Sequence, residues 1–179
     1  PAAGRMNCDA ADSPAYEVVD LTGDGRPELV VTSDCEDASV GTSAWRVFVG
    51  TGTGFSPTAG TWRLPEGYGE RGFGATRSMG DHCATEVPSY TVADLTGDGR
   101  PDLAVTSDCR DVAVGSSHWV VYPSSGTGFA PTATEFPLPT GYSDGAFAVY
   151  ARDAAECGGT DIPAFGLVDG DGDGRTDIL

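Results

Sequence analysis

Positive charge is scarce in this chain: ten Lys and Arg stand against 27 Asp and Glu in 179 residues, a formal charge of −17. That balance opposes binding to nucleic acid or to an anionic membrane surface, and it makes cations the natural partner. Histidine is nearly missing, with only His82 and His118. Neither belongs to the repeated pattern described below, so each reads as a surface or packing residue rather than a catalyst. No run is apolar enough to span a bilayer, and no membrane insertion is expected. No window holds a 3.6-residue periodicity for more than a turn or two, which argues against amphipathic helices. The Cys-x-x-Cys spacing does not occur among the five cysteines, which removes the common zinc and redox motifs. The chain opens at Pro1 without an initiator Met or a signal-peptide pattern, as expected of a processed or excised piece of a longer product.

What the chain has instead is one loop chemistry, three times over. Asp169, Asp171, Asp173 and Asp177 put carboxylates at the first, third, fifth and ninth positions of a short Gly-rich loop, with Gly174 at the sixth and Arg175 at the seventh. Hard oxygen donors at those positions, a glycine for the sharp turn and a main-chain carbonyl at the seventh can wrap a cation that needs six to eight oxygens. The same spacing recurs at Asp20, Thr22, Asp24, Arg26 and Glu28, and again at Asp94, Thr96, Asp98, Arg100 and Asp102. An ordinary polar turn needs about two of these residues, not every alternate oxygen. The reading is therefore three calcium sites, and three bound Ca2+ would bring the charge to about −11. Thr in place of a carboxylate at the third position predicts weaker sites in the first two loops and the tightest in the third.

The loops belong to a longer repeat. Residues 20–74 align without a gap on residues 94–148, with 32 of 55 positions identical. Trp45 falls on Trp119, Phe55 on Phe129, Tyr68 on Tyr142 and Phe73 on Phe147. A third copy can be followed from Cys157 to Asp177. The chain thus divides into unit 1 (residues 1–74), unit 2 (75–148) and a partial unit 3 (149–179), about two and a half units of 74–75 residues. Within a unit the pattern is all β. Residues 15–19, 89–93 and 164–168 run into the loops, and residues 28–32 and 102–106 leave them, β-branched and preceded by Pro. An EF-hand would continue there into a helix, and neither segment has the periodicity for one. A third strand is expected at 44–49 and 118–122, apolar on both faces as in a sheet sandwiched between neighbours. A fourth is expected near 58–64 and 132–138. The segment 70–83 has no clear assignment.

These residues resemble the FG-GAP or VCBS repeat family, whose blades carry an Asp-x-Asx-Gly-Asp-Gly-x-x-Asp calcium loop between their first two strands. Integrin α-subunit propellers and many secreted bacterial proteins use similar blades. The resemblance implies tandem four-stranded antiparallel blades of β-propeller type, with metal ligands at the fifteen loop positions named above. Thr22 and Thr96 depart from the family's usual Asp or Asn.

Cysteines follow the repeat as well. Cys8 and Cys35 lie 27 residues apart and Cys83 and Cys109 lie 26 apart. Equal spacing in each unit suggests one disulfide per unit, and hence an oxidising, extracellular or cell-surface setting. Cys157 takes the first-cysteine position of the third unit.

Little points to catalysis. Gly41-Thr-Ser-Ala and Gly115-Ser-Ser-His lack the flanks of a nucleophile elbow. Asp34, Asp37, Asp108 and Asp111, repeated outside the loops, read as turn residues. The expectation is therefore not an enzyme but a calcium-stabilised extracellular structural or adhesive module, a building block of a cell-surface protein or fibre. Its partners would be further units or copies of itself, in a ring or head to tail, with glycans or cell-surface proteins as ligands. A lectin-like propeller is the alternative, with Tyr68 and Tyr142 stacking on sugars.

Overall fold

Pro27 and Pro101 fix φ and lack an N–H, so the chain leaves each of the first two loops extended and cannot start a helix there. Both exits continue as strands. The computed structural model describes residues 14–74, 88–142, 145–149 and 165–179. Among them unit 1 holds β1 (Ala15–Val19), β2 (Glu28–Ser33), β3 (Ala44–Phe48) and β4 (Gly60–Arg63). Unit 2 holds β5 (Ser89–Ala93), β6 (Asp102–Ser107), β7 (His118–Tyr122) and β8 (Thr134–Pro137), and unit 3 holds β9 (Leu167–Val168) and β10 (Asp177–Ile178). The described residues contain no helix, so none is long and apolar enough to cross a membrane.

Each complete unit is a four-stranded antiparallel meander, β1-β2-β3-β4 and β5-β6-β7-β8, and β9 pairs with β10. The registers are the same: Tyr16 faces Val31 and Val31 faces Arg46, just as Tyr90 faces Val105 and Val105 faces Val120. Both sheets break register at the same place, between Ala15 and Tyr16 and between Ser89 and Tyr90.

Side chains alternate across a strand, so each sheet has two faces, and the cores lie between consecutive sheets. One face of unit 1, with Val30, Trp45, Val47 and Trp62, packs against Leu103, Val105 and Tyr122 of unit 2. The opposite face of unit 2, with Ala104, Trp119 and Val121, packs against Phe165, Leu167 and Ile178 of unit 3. At each junction we call the face of the earlier unit trailing and the face of the later unit leading. Trp45 and Trp119 are buried, and each indole Nε1 donates to a turn carbonyl of its own unit, Phe73 O (2.8 Å) and Phe147 O (2.9 Å). Rings interlock across the junctions. Tyr90 lies 6.0 Å from Trp45 and 5.4 Å from Phe73, and Phe165 lies 6.2 Å from Trp119 and 5.6 Å from Phe147.

Three expectations need correction. The third strand is apolar on both faces only in unit 2. In β3, Trp45 and Val47 are buried and Arg46 is exposed, because no sheet among the described residues covers the leading face of unit 1. The fourth strands are shorter than expected, 60–63 and 134–137, since turns at Ser56–Thr58 and at 131–132 occupy the preceding residues. The third approach to a loop is strand only at 167–168, and residue 164 lies outside the described residues. Of the unassigned segment, 70–73 form a turn and 75–83 lie outside the described residues.

Candidate metal centre

Every loop closes on its own carboxylates. In the first, Asp20 Oδ1 accepts from the main-chain N–H of Gly23 (2.7 Å) and Asp24 (3.1 Å), and Oδ2 accepts from Gly25 (2.7 Å). Asp24 Oδ1 accepts from the N–H of Arg26 at 2.9 Å, an Asx turn of the kind short acidic side chains make on their own backbone. Glu28, the first residue of β2, reaches back and accepts from Leu21 N–H (2.8 Å) and Thr22 N–H (3.2 Å). The frame recurs at Asp94 with Gly97, Asp98 and Gly99, and at Asp169 with Gly172 and Gly174. Asp98 and Asp173 accept from Arg100 and Arg175 N–H, and Asp177 closes the third loop on Gly170 N–H at 2.9 Å.

Two of the loops gather their acids. Asp20, Asp24 and Glu28 each offer one carboxylate oxygen within 4.8 Å of the other two, and so do Asp169, Asp171 and Asp177. Three carboxylates this close repel one another unless positive charge compensates them. Glu28 is fully buried. Its carboxylate meets the two N–H groups and the Thr22 hydroxyl, 3.5 Å away, and none of these carries a charge. An all-oxygen, carboxylate-rich set suits a hard divalent cation, calcium above all, better than a soft metal. The residues of the first and third loops therefore fit the ion that the sequence pattern implies.

The second loop does not gather its acids in this way. Asp102 is one methylene shorter than Glu28, and backbone N–H groups occupy both of its oxygens. Oδ2 accepts from Leu95 (3.1 Å) and Thr96 (3.0 Å), and Oδ1 accepts from Ser124 (2.9 Å). Asp94, Asp98 and Asp102 form no such cluster. In the third loop Asp173 stands apart from the cluster, near the Arg175 Nε at 3.7 Å.

The arginines at the seventh position matter in a way the spacing did not reveal. The pattern singles them out for their carbonyls, yet their side chains turn back on the fifth-position carboxylate of the same loop. Arg26 lies 3.4 Å from Asp24 and Arg100 lies 2.6 Å from Asp98. The visible signal was an Arg two residues after an Asp in all three copies.

Outside the loops the acids are turn residues, as expected. Asp34, Asp37, Asp108 and Asp111 each accept an N–H two residues on. Hydrogen bonds from the Ser39 hydroxyl and N–H, backed by Arg46, hold the Asp37 carboxyl below its ordinary range. At Asp108 partial burial pushes the other way, but the Arg110 guanidinium and N–H outweigh it and the carboxyl is lowered. Arg110 also donates to Gly67 O and lies over the Tyr68 ring, 4.9 Å from its centroid. Tyr68 is buried and shares a 2.9 Å hydrogen bond with the Tyr122 hydroxyl. Burial and that bond push its phenol above the usual range. Tyr142, its counterpart in unit 2, is exposed. His118 meets the Ser117 hydroxyl at 3.0 Å, while His82, Cys8, Cys83 and Cys157 lie outside the described residues.

A family model described as the FG-GAP-like repeat matches residues 20–105, from the first position of the first loop into β6. Over that span the chain is similar to FG-GAP-like repeats. No curated protein and no solved structure matches the chain.

Proposed function

We propose that the chain is a calcium-stabilised repeat module, structural or adhesive, that works in an oxidising setting outside the cell. The observation that carries this reading is the convergence of three carboxylates in the first and third loops, from the first and ninth positions in both, with the fifth in the first loop and the third in the third. A bound calcium ion would supply charge compensation and tie the start of one strand to the end of another. Asp20, Asp24 and Glu28 would hold it in the first loop with the Thr22 hydroxyl and the Arg26 carbonyl. Asp169, Asp171 and Asp177 would hold it in the third. The second loop, with Asp102 already bonded to the backbone, is the weakest of the three.

Each disulfide would fasten the segment before the first strand to the end of the second. Cys35 and Cys109 stand at matching positions of the two units, and the proposed partners are Cys8 and Cys83. Peptide mapping without reduction is expected to recover these two pairs; a Cys35–Cys83 peptide would sink the intra-unit assignment.

The proposed partner of the leading face of unit 1 is the trailing face of another unit of the same repeat. Tyr16 and Val18 on that face are 64% and 56% exposed, whereas their counterparts Tyr90 and Val92 pack on the core between units 1 and 2. The sugar-stacking alternative loses one of its two aromatics, since Tyr68 lies under Arg110 and against Tyr122. The reading assigns no catalysis.

The test is thermal unfolding with calcium and with EDTA. At calcium about 100 times the Kd, each ion bound only by the folded chain adds about 2.7 kcal/mol. For a chain of this size that raises Tm by about 5–10 °C per ion. Identical curves in calcium and EDTA, with no metal found by elemental analysis, would remove the proposal.

A further inference from the structure

The second loop differs from its neighbours in what its carboxylates already hold. Asp94 Oδ1 accepts from the N–H of Gly97 and Asp98, and Oδ2 accepts from Gly99. Asp98 Oδ1 accepts from Arg100 N–H at 2.9 Å, and Oδ2 accepts from Arg100 Nη2 at 2.6 Å. Both oxygens of the fully buried Asp102 are bonded as well, Oδ2 to Leu95 and Thr96 and Oδ1 to Ser124. Every carboxylate oxygen of these three residues therefore has a donor from the chain itself. In the first loop the corresponding contacts are longer. Asp24 Oδ2 lies 3.4 Å from Arg26 Nη2, and Glu28 Oε1 meets only the Thr22 hydroxyl, at 3.5 Å. In the third, Asp171 and Asp177 each accept an N–H on one oxygen, and the other oxygen of each has no donor among the described residues.

We infer that the second loop takes no calcium and serves instead as a metal-independent joint on which the other two loops rest. The proposal rests on the calcium reading of the first and third loops. A cation in the second loop would have to draw Asp98 off the Arg100 guanidinium and Asp102 off the Ser124 N–H. Each of these is a hydrogen bond to a charged group, and the loss of both weakens a site about 100-fold or more. The third position offers no compensation, since Thr96 brings a neutral hydroxyl where the third loop has Asp171. The loop is also held from both sides. At Gly23, with φ of 75°, a side chain would overlap the Gly99 carbonyl oxygen, and at Gly97, with φ of 77°, it would come within 2.6 Å of Arg175 Cγ. Thr176 N–H donates to Asp94 O at 2.8 Å. The first loop thus lies against the backbone of the second, and the third bonds to it. A loop that carries both neighbours and is closed by its own donors keeps its form with calcium or without it.

The experiment counts the calcium bound by the full 179-residue chain in equilibrium dialysis, at about ten times the concentration that half-completes the calcium-induced rise in Tm. The expected count is two ions per chain. Asp24→Asn should lower it to one. Asp98→Asn, the same substitution at the same loop position, should leave both the count and the calcium-induced rise in Tm unchanged. Asp102→Asn should lower Tm by the same amount in calcium and in EDTA, because its carboxylate bonds the backbone under either condition. A count of three, the loss of an ion in Asp98→Asn, or a drop in Tm for Asp102→Asn that appears only in calcium would each overturn the proposal and leave the calcium reading of the outer loops intact. No bound calcium at all would instead sink the calcium reading itself. If Asp102→Asn does not fold, the count for the unaltered chain and for Asp98→Asn decides the question.

Discussion

Units 1 and 2 have the same register and the same loop, yet they differ at the face each turns towards a preceding sheet. In unit 2 the leading face carries Tyr90, Val92 and Val120, and all three pack on the core between units 1 and 2. In unit 1 the corresponding residues are Tyr16 and Val18, both exposed, and Arg46. Arg46 binds Asp34 and Asp37, each at 2.8 Å. Unit 2 keeps both acids as Asp108 and Asp111 but has given up the strand arginine for a valine. Its cation has moved into the loop instead, as Arg110 where unit 1 has Glu36, and from there it reaches across to Gly67 and Tyr68 of unit 1. A strand position that must be apolar to lie against a neighbour thus sends its charge to a loop that can reach the same neighbour. The comparison teaches that pairing within a sheet is common to both units, while the composition of the leading face follows whether a sheet covers it.

The largest expected effect comes from breaking the covered junction. Trp45→Ala should cost about 3–5 kcal/mol, since it empties a fully buried ring site between two sheets. Tyr16→Ala, on the uncovered face, should stay within about 0.5 kcal/mol. Denaturant midpoints at unchanged slope measure both. Equal losses would mean that the leading face of unit 1 is covered after all.

A smaller contrast isolates one hydrogen bond. The Tyr90 hydroxyl donates to Phe73 O at 3.0 Å across the junction. Tyr90→Phe is expected to cost about 1 kcal/mol, and Tyr16→Phe close to nothing. A larger loss for Tyr16→Phe would reverse the assignment of the two faces.

The smallest effect is acid sensitivity. The folded-state carboxyls of Asp37 and Asp108 lie below the ordinary value of 3.8, so the stability they add is present above about pH 4. It is lost as pH falls through their lowered values. The Asp108 side chain is largely covered, but its partner Arg110 is nearly half exposed and solvent screens the pair, so in EDTA the drop in Tm between pH 4 and pH 2 assignable to Asp108 should not exceed about 3 °C. Arg110→Ala should shrink it. A drop of the same size in that variant would rule out the arginine as its cause.

Much of the fold was legible because its signals are local. The strands at 15–19 and 89–93 have the bounds that the sequence suggested. Pro27 and Pro101 marked the start of the second strands, and the Asp-Gly spacing marked the loops. The misreadings concern what one unit does to another. Tyr68 resembles an exposed aromatic until Tyr122, 54 residues on, covers it. Asp102 looks equivalent to Glu28 until Ser124 N–H, 22 residues away, takes its second oxygen. The sequence does not set Gly23 and Gly97 apart from the other loop glycines, and only the next loop, packed against them, shows why a side chain has no room there. Periodicity within one unit carries no information on such contacts, although the Gly at position four and the Arg at position seven recur in all three loops.

One consequence concerns how the chain is made. Because each core lies between consecutive sheets, the trailing face of unit 1 has nothing to bury itself against until the strands of unit 2 exist. The residues that cover Trp45 extend to Phe129, whose ring lies 5.5 Å from the indole. At the usual pace of translation that leaves an indole-bearing sheet bare for roughly 4 to 15 s, long enough for a chaperone to bind or for two nascent chains to meet. The same wait recurs at Trp119 until Phe165 and Leu167 emerge, so slow codons between the units would prolong the hazard and faster ones would shorten it.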